Sequence, residues 1–186
     1  MRKKSILIII FYFAATIWTG CLYSDGNRKP EAVSFLGKEL FSPVLNKNVE
    51  SLFLKKLEKA LSDYKQDPGR SESIIWFGRR TAYLGHFRKA INIFSEGIRK
   101  HPDEAQFYRH RGHRYISLRE LDKAIADLKH AAGLIKGKSD IVEPDGIPNK
   151  QNIPLSTLHS NIWYHLGLAY YLREILRMRV NHTESV

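Results

Sequence analysis

The 186-residue sequence predicts an all-α fold, a short right-handed solenoid of antiparallel helix pairs preceded by a signal segment and a flexible tether. Two segments carry matching residues 34 positions apart, which is the length of a helix–turn–helix unit that stacks into a solenoid. Within each segment, apolar or small residues recur every three or four positions, so each helix has one buried stripe. Pro68 and Pro102 are separated by the same period and stand where proline ends a helix. The matched pairs are Gly78 and Gly112, Phe87 and Leu121, Ala90 and Ala124, Ile91 and Ile125, Phe94 and Leu128, and Gly97 and Ala131.

Residues 1–20 have the layout of a secretory signal peptide. Three basic residues precede an apolar run from Ile6 to about Trp18, and this run is shorter than the ~18 residues that a membrane-spanning helix needs. Cys21, the only cysteine in the chain, follows Thr19-Gly20 directly. Because a lone thiol cannot form an intrachain disulfide, Cys21 needs another explanation in an exported protein.

A small residue followed by cysteine at the end of an apolar run resembles the bacterial lipoprotein signal. The resemblance implies that the chain is cleaved before Cys21 and that the Cys21 sulfur carries a diacylglycerol, with palmitate as the expected acyl group. Two or more acyl chains anchor a protein stably, so the chain is expected in the bacterial cell envelope, facing the periplasm. Leu22, rather than aspartate, follows the cysteine, and resemblance to the sorting rule of enteric-type bacteria then implies the outer membrane rather than the inner one. An ordinary signal peptide, an uncleaved membrane anchor and a buried N-terminal helix are the alternatives.

Residues 21–48 are predicted to form a flexible tether. They contain Gly26, Pro30, Gly37 and Pro43 but no sustained helical period, and residues 33–36 are the stretch that could dock on the first helix. Residues 49–68 predict an amphipathic capping helix, which stands where the second helix of a preceding unit would stand. Its apolar face comprises Leu52, Leu57, Ala60, Leu61 and Tyr64.

Residues 71–104 and 105–138 are two units, and residues 158–180 are a third first helix or a C-terminal cap. Together they resemble the tetratricopeptide repeat family, whose pattern is W-x2-L-G-x2-Y, then A-x3-F, then P. The first unit departs from the pattern at Ile74, Phe77 and Thr81. A missing last helix would leave an apolar face exposed at the C-terminal end, which favours a homodimer there. The matching first-helix residues are Tyr108, Gly112 and Tyr115 in the second unit and Trp163, Leu166, Gly167 and Tyr170 in the third.

Residues 136–157 are an insertion, because Gly112 and Gly167 lie farther apart in the sequence than one repeat period. Pro144-Asp145-Gly146 is a turn signal within it. Loops of this length are uncommon in compact domains and are often functional. Two interpretations stay open: a surface loop tolerated between repeats, or a flap that folds over the binding groove and contacts a partner.

In tetratricopeptide proteins the first helices line a concave groove, and the resemblance implies that this groove binds an unidentified protein partner. Its centre is basic, and arginine forks suit carboxylates. The hypothesis is therefore a membrane-tethered protein–protein interaction scaffold that binds an extended, acidic segment of a partner. The alternative function is a lipoprotein that binds an anionic glycan or a small anionic ligand. A competing interpretation makes the basic cluster 109–114 a solvated face whose arginines pair with acids of the next helix. The groove residues carried over are Arg79, Gln106, Arg109, His113, Asn161, Tyr164 and Tyr171, with Glu72 as the one acid among them.

The formal net charge is +11, and +8 remains without the three basic residues of the signal segment. In a cytosolic protein this excess would suggest nucleic acid, but the export signal argues against nucleic acid as the partner. No Gly-rich phosphate loop, nucleophile elbow or HExxH motif occurs, so neither an enzyme nor a cofactor is expected. His110 and His113 lack a nearby carboxylate or cysteine and stand among arginines, which argues against a metal site.

Overall fold

A computed structural model describes residues 29–143 and 156–183, with side chains described as far as residue 178. These residues form six helices after a two-stranded hairpin, which confirms the predicted all-α fold. The signal segment, Cys21 and the Pro144-Asp145-Gly146 turn lie outside the described residues. The elements are β1 (Ala32–Val33), β2 (Glu39–Leu40), α1 (Lys47–Gln66), α2 (Ser71–Tyr83), α3 (Phe87–Lys100), α4 (Ala105–Ser117), α5 (Leu121–Leu134) and α6 (Leu158–Thr183).

The helix α1 packs on α2. It begins after Asn46, whose side-chain oxygen accepts a hydrogen bond of 2.9 Å from the backbone N–H of Asn48. Near its other end, the ring of Tyr64 stacks on Phe77 of α2 at 5.2 Å. The Tyr64 hydroxyl donates to Glu96 of α3 at 3.0 Å, so α1 is tied to both helices of the first unit.

The apolar stripe of the two units is buried where the repeat period places it. Ala90, Ala124 and Leu128 have no exposed surface, and Phe94 is 1% exposed. Short turns join α2 to α3, α3 to α4 and α4 to α5, and each of these helices packs on its neighbour in the chain. Such short connections make successive helices antiparallel, which is the arrangement the sequence predicts.

Glycine on the first helix lets the second helix of the same unit approach closely. A Cβ at Gly78 would lie 2.7 Å from Cζ of Phe94, and a Cβ at Gly112 would lie 2.8 Å from Cγ of Leu128. Both distances are shorter than carbon atoms tolerate. The matched glycines of the two units therefore have one physical role, which is to receive a bulky side chain from the antiparallel helix.

The segment before α1 contains regular structure where the sequence predicts a tether. β1 and β2 pair antiparallel, with Ala32 opposite Leu40. Ala32 is buried and packs with Ile91 and Leu118, so the hairpin lies against α3 and the end of α4 rather than on α1. Further along, the Ser42 hydroxyl donates to the Gly85 carbonyl at 2.9 Å. The physical reason is local burial, since strands this short have too few residues to show a period in the sequence.

The insertion is anchored at both ends next to α6. Val142 forms an isolated antiparallel bridge with Thr157. The helix α6 packs on α5 and α4, and its other side carries exposed aromatic residues, with Trp163 57% and Tyr171 66% exposed. Within the described ranges, no helix is both long and apolar enough to cross a membrane.

Candidate arginine pocket in the concave groove

A cavity of about 130 Å³ opens between α2, α4 and the start of the insertion. Three arginines from the first helices of the two units converge on it, together with one carboxylate from the insertion. We call it the arginine pocket. Its lining comprises Arg79, Ala82, Tyr83, Phe94, Arg109, His110, His113, Arg114, Glu143 and Ser156.

Arg79 enters the pocket from α2 with its guanidinium held by aromatic residues. The guanidinium carbon lies 4.5 Å from the ring centroid of Trp76, within the range of a cation–π contact. Its Nη2 donates to the hydroxyl of Tyr83 at 3.4 Å. Arg79 is 7% exposed although it is charged, so the first helix of the first unit turns a cation inward at the groove.

Arg109 of α4 binds the carboxylate of Glu143 at 2.9 Å between Nη2 and Oε2. The two side chains are only 9% and 6% exposed, so this is a buried ion pair. Burial lowers the pKa of Arg109, and the Glu143 carboxylate works in the opposite direction. The Nε of Arg109 is buried and has no hydrogen-bond partner among the described residues. The guanidinium thus holds one carboxylate and keeps one donor unused.

His110 sits beside Arg109 as a neutral acceptor. Complete burial lowers its pKa well below 6.5, and the nearby charge of Arg109 adds to the effect. Its ring stacks on Phe94 at 5.5 Å, and its Nδ1 accepts a hydrogen bond of 2.7 Å from Nη1 of Arg109. A neutral imidazole can accept this bond, whereas an imidazolium could not. His110 therefore orients Arg109 toward the groove.

Arg114, further along α4, has an equivalent arrangement. Its Nη2 donates to Nδ1 of His113 at 2.7 Å, and its guanidinium lies 5.5 Å from the ring of Phe87. Burial, with Arg109 as a second cause, lowers the pKa of Arg114 to about 10, so it remains charged at neutral pH. The ring of His113 lies 4.1 Å from that of His165 on α6, and burial lowers the pKa of His165 to about 4. Arg114 is thus presented by neutral groups rather than by a carboxylate.

Arg111 belongs to a different surface. Its Nε and Nη2 each donate to the Asp127 carboxylate of α5 at 2.7 Å, and Nη1 donates to Ser95 at 3.0 Å. The bond to Asp127 raises the pKa of Arg111. The arginines of the basic cluster therefore have different roles. Arg111 pairs with an acid of the next helix, as the competing interpretation of the cluster expected, while Arg109 and Arg114 line the pocket.

A second cavity of about 290 Å³ adjoins the arginine pocket along the concave face. We call it the groove cleft. One wall is α2 and the start of α4, and the other wall is the extended stretch of residues 141–143 from the insertion. Its lining comprises Ser71, Glu72, Ile75, Trp76, Arg79, Gln106, Ile141, Val142 and Glu143.

The structure brings together some of the residues expected from the sequence to line the groove. Arg79, Arg109 and His113 share the arginine pocket, and Gln106 lines the groove cleft. The three residues from α6 lie elsewhere: Asn161 donates to the Ser156 hydroxyl, Tyr164 packs edge-on against His165 at 5.1 Å, and Tyr171 is 66% exposed. None of these three lines either cavity.

Three important residues are missing from the sequence-based set of groove residues. Arg114 and His110 belong to the basic cluster, but the carried-over repeat positions do not include them. In the sequence, Glu143 is only a loop acid with no obvious acid/base partner. The one signal in the sequence that could have indicated Glu143 is the possibility that the insertion folds over the groove. Residues 141–143 line the groove cleft. Among the described residues, no group of three or more histidines, cysteines and acids is arranged to hold a metal ion.

No protein-family model matches this sequence, and no curated protein is significantly similar to it. Solved structures do match. The translocator chaperone SycD of Yersinia enterocolitica type III secretion aligns with a TM-score of 0.51 and 19% identity, over 69% of this chain and 79% of that one. SycD in complex with a peptide of the translocator YopD aligns with a TM-score of 0.51, 18% identity and coverage of 69% and 87%. PcrH in complex with the chaperone-binding region of PopD aligns with a TM-score of 0.51 and 16% identity, over 69% of this chain and 86% of that one. The likeness is one of fold. It agrees with the tetratricopeptide-like solenoid expected from the repeats.

Proposed function

We propose that this chain is a protein-binding scaffold that holds an extended, acidic segment of a partner protein in the concave groove. The observation that carries the proposal is the Arg109–Glu143 pair. Here the groove binds a carboxylate that projects from an extended stretch of backbone, at 2.9 Å and largely out of contact with solvent. An acidic side chain on a partner segment would present the same group to the same guanidinium.

The chemistry of the pocket supports a carboxylate as the recognised group. Arg109 and Arg114 are both held in place by neutral histidines, so their charge is directed into the cavity rather than neutralised from behind. Guanidinium groups in a site of low dielectric bind carboxylates through short, charge-assisted hydrogen bonds. Two of the structures similar in fold are complexes with a segment of another protein, a peptide of the translocator YopD in one and the chaperone-binding region of PopD in the other, which supports a segment of protein as the ligand.

The test is a selection of peptides from a random library by the purified protein. We expect the selected peptides to be enriched in Asp and Glu, and we expect Arg109→Gln with Arg114→Gln to lose at least tenfold in affinity for them. Loss of one charge-assisted bond costs about 1.5–3 kcal/mol, and about 1.4 kcal/mol is a factor of ten.

The matched control is Lys89→Gln with Arg99→Gln, which removes the same charge from the exposed side of α3. This control should bind the selected peptides as the unaltered protein does. Selected peptides without acidic enrichment, or equal loss in both double variants, would refute the proposal. Circular dichroism melts establish that each variant is folded.

The membrane anchor and the homodimer are further proposals. Support for the anchor is the lipoprotein-type signal that ends at Cys21, and the expected location is the bacterial envelope with the scaffold facing the periplasm. Support for the homodimer is the open side of α6, where Trp163 and Tyr170 are exposed and a Cβ at Gly167 would meet nothing within 4 Å. In such a dimer the groove would stay accessible, because these residues line neither cavity.

A further inference from the structure

We propose that Glu143 occupies the subsite that a carboxylate of the partner takes, so that binding the partner requires Glu143 to leave Arg109. The inference rests on the proposed function and deepens it, since it identifies one contact of the bound segment. It also makes residues 140–143 an internal competitor for the groove.

The competing segment has the shape of a bound peptide. Val142 forms an antiparallel bridge with Thr157, which requires extended backbone there, as in a peptide bound in a groove, and residues 141–143 line the groove cleft. Glu143 is buried at 5%, whereas the two residues before it, Ile141 and Val142, are 45% and 53% exposed. The segment thus places its acid on Arg109 and leaves its two aliphatic side chains partly exposed beside the groove cleft.

Hydrogen bonds to the residues around the start of α6 position the stretch that carries Glu143. Asp140 is fixed, since its Oδ1 accepts from the N–H of His159 at 3.0 Å and from that of Ile141 at 2.8 Å. Beyond it, two backbone bonds of 2.9 Å hold the stretch, one from Leu158 N–H to Ile141 O and one from Glu143 N–H to Ser156 O. Of these backbone bonds, the last is the one that Glu143 itself donates, and the anchor at Asp140 does not depend on it.

The free energy of the exchange favours ligands that carry an acid. A buried guanidinium stripped of its carboxylate is strongly disfavoured, so a pocket that simply opened would be unstable. A partner carboxylate that replaces Glu143 leaves the same kind of ion pair in place and avoids this cost. Neutral segments of the same shape are therefore rejected.

The experiment compares the affinity of fluorescein-labelled deca-glutamate for the unaltered chain, Glu143→Gln and Glu58→Gln, by fluorescence anisotropy at low ionic strength. Glu58 is an exposed acid of α1 that lines neither cavity, so its variant removes the same charge from outside the groove. We expect Glu143→Gln to bind about tenfold more tightly than the unaltered chain, since the competing state is removed, and Glu58→Gln to stay within about twofold. Adding Arg109→Gln to the Glu143 variant should abolish the gain.

Two results would overturn the inference while leaving the proposed function intact. Equal affinity of the unaltered chain and Glu143→Gln would mean that Glu143 does not compete. An equal gain in the Glu143 and Glu58 variants would mean that only the net charge of the chain matters. Absence of binding by every variant would instead overturn the acidic preference itself. If Glu143→Gln is unfolded by circular dichroism, Glu143→Asp, which keeps the charge and shortens the reach, should give a gain of about threefold.

Discussion

The substitution of glycine by alanine on the first helix of each unit tests the repeat packing. In the first unit, a Cβ at Gly78 would lie 2.7 Å from Cζ and 2.9 Å from Cδ1 of Phe94, and closer still to Cε1. In the second, a Cβ at Gly112 would lie 2.8 Å from Cγ of Leu128 and 3.3 Å from its Cδ2. At Gly167, on the third first helix, nothing lies within 4 Å. One chemical change therefore meets three different amounts of space.

The magnitudes follow from two opposing terms. Alanine stabilises a helix interior by about 1 kcal/mol relative to glycine. Forcing an extra carbon into a well-packed core costs about 1–3 kcal/mol. Phe94 is fully buried and its ring must be displaced, so Gly78→Ala should lose about 2 kcal/mol in net stability. From the same two terms, the stability change of Gly112→Ala should lie between zero and a loss of about 1 kcal/mol, and Gly167→Ala should gain about 1 kcal/mol in stability.

The assay is urea unfolding of the three variants, supported by thermal melts. For a chain of this length, about 1 kcal/mol corresponds to about 2–4 °C in Tm. The expected order of stability is Gly167→Ala, then the unaltered chain, then Gly112→Ala, then Gly78→Ala. If Gly78→Ala proves as stable as Gly167→Ala, the second helix does not pack into the first helix of its unit, and the reasoning fails.

Two further predictions concern pH and the membrane. The histidines His110, His113 and His165 have lowered pKa values in the folded chain, so below about pH 6.5 the unfolded chain takes up protons that the folded chain does not. The free energy of unfolding should therefore fall as the pH drops from about 6.5 toward 4, by at most about 1.4 kcal/mol per pH unit for each histidine, and His165→Gln should reduce this slope in urea titrations. For the anchor, Cys21→Ala should abolish labelling by a fatty-acid probe and release the chain from membranes; acylation that persists would contradict the lipoprotein assignment.

Much of the fold could be predicted because the repeat consists of small and bulky apolar residues, whose packing depends mainly on their size. Ala90 and Phe94 recur as Ala124 and Leu128, and all four are buried. A small residue beside a bulky one at helical spacing has few other ways to pack, so the pattern determines the helices. The hairpin β1–β2 could not be predicted, because a single buried residue such as Ala32 produces no period.

The pocket was harder to predict because its geometry depends on contacts between segments far apart in sequence. Arg109 lies on α4 and Glu143 lies beyond α5, and the insertion between the repeats determines where Glu143 is placed. The repeat period places α2 and α4 but says nothing about an insertion that interrupts it. Arg114 was missed for a different reason. Its partner His113 is adjacent in sequence, and only the rotamers of the two side chains bring them together at the groove.

The charges of the pocket are better explained by recognition than by stability. Burying Arg109 with Glu143 requires both to lose water, and an apolar pair of similar volume would stabilise a fold equally well or better. The neutral histidines also favour recognition over stability. His110 and His113 contact Arg109 and Arg114 through uncharged nitrogen atoms, whereas a stabilising network would pair these arginines with carboxylates. Arg111 shows the contrast on the same helix, because Asp127 satisfies it with two bonds. On α4, Arg111 faces the next helix and pairs with Asp127, an acid fixed on that helix. Arg109 faces the groove and pairs with Glu143, an acid on a short segment that a partner could displace.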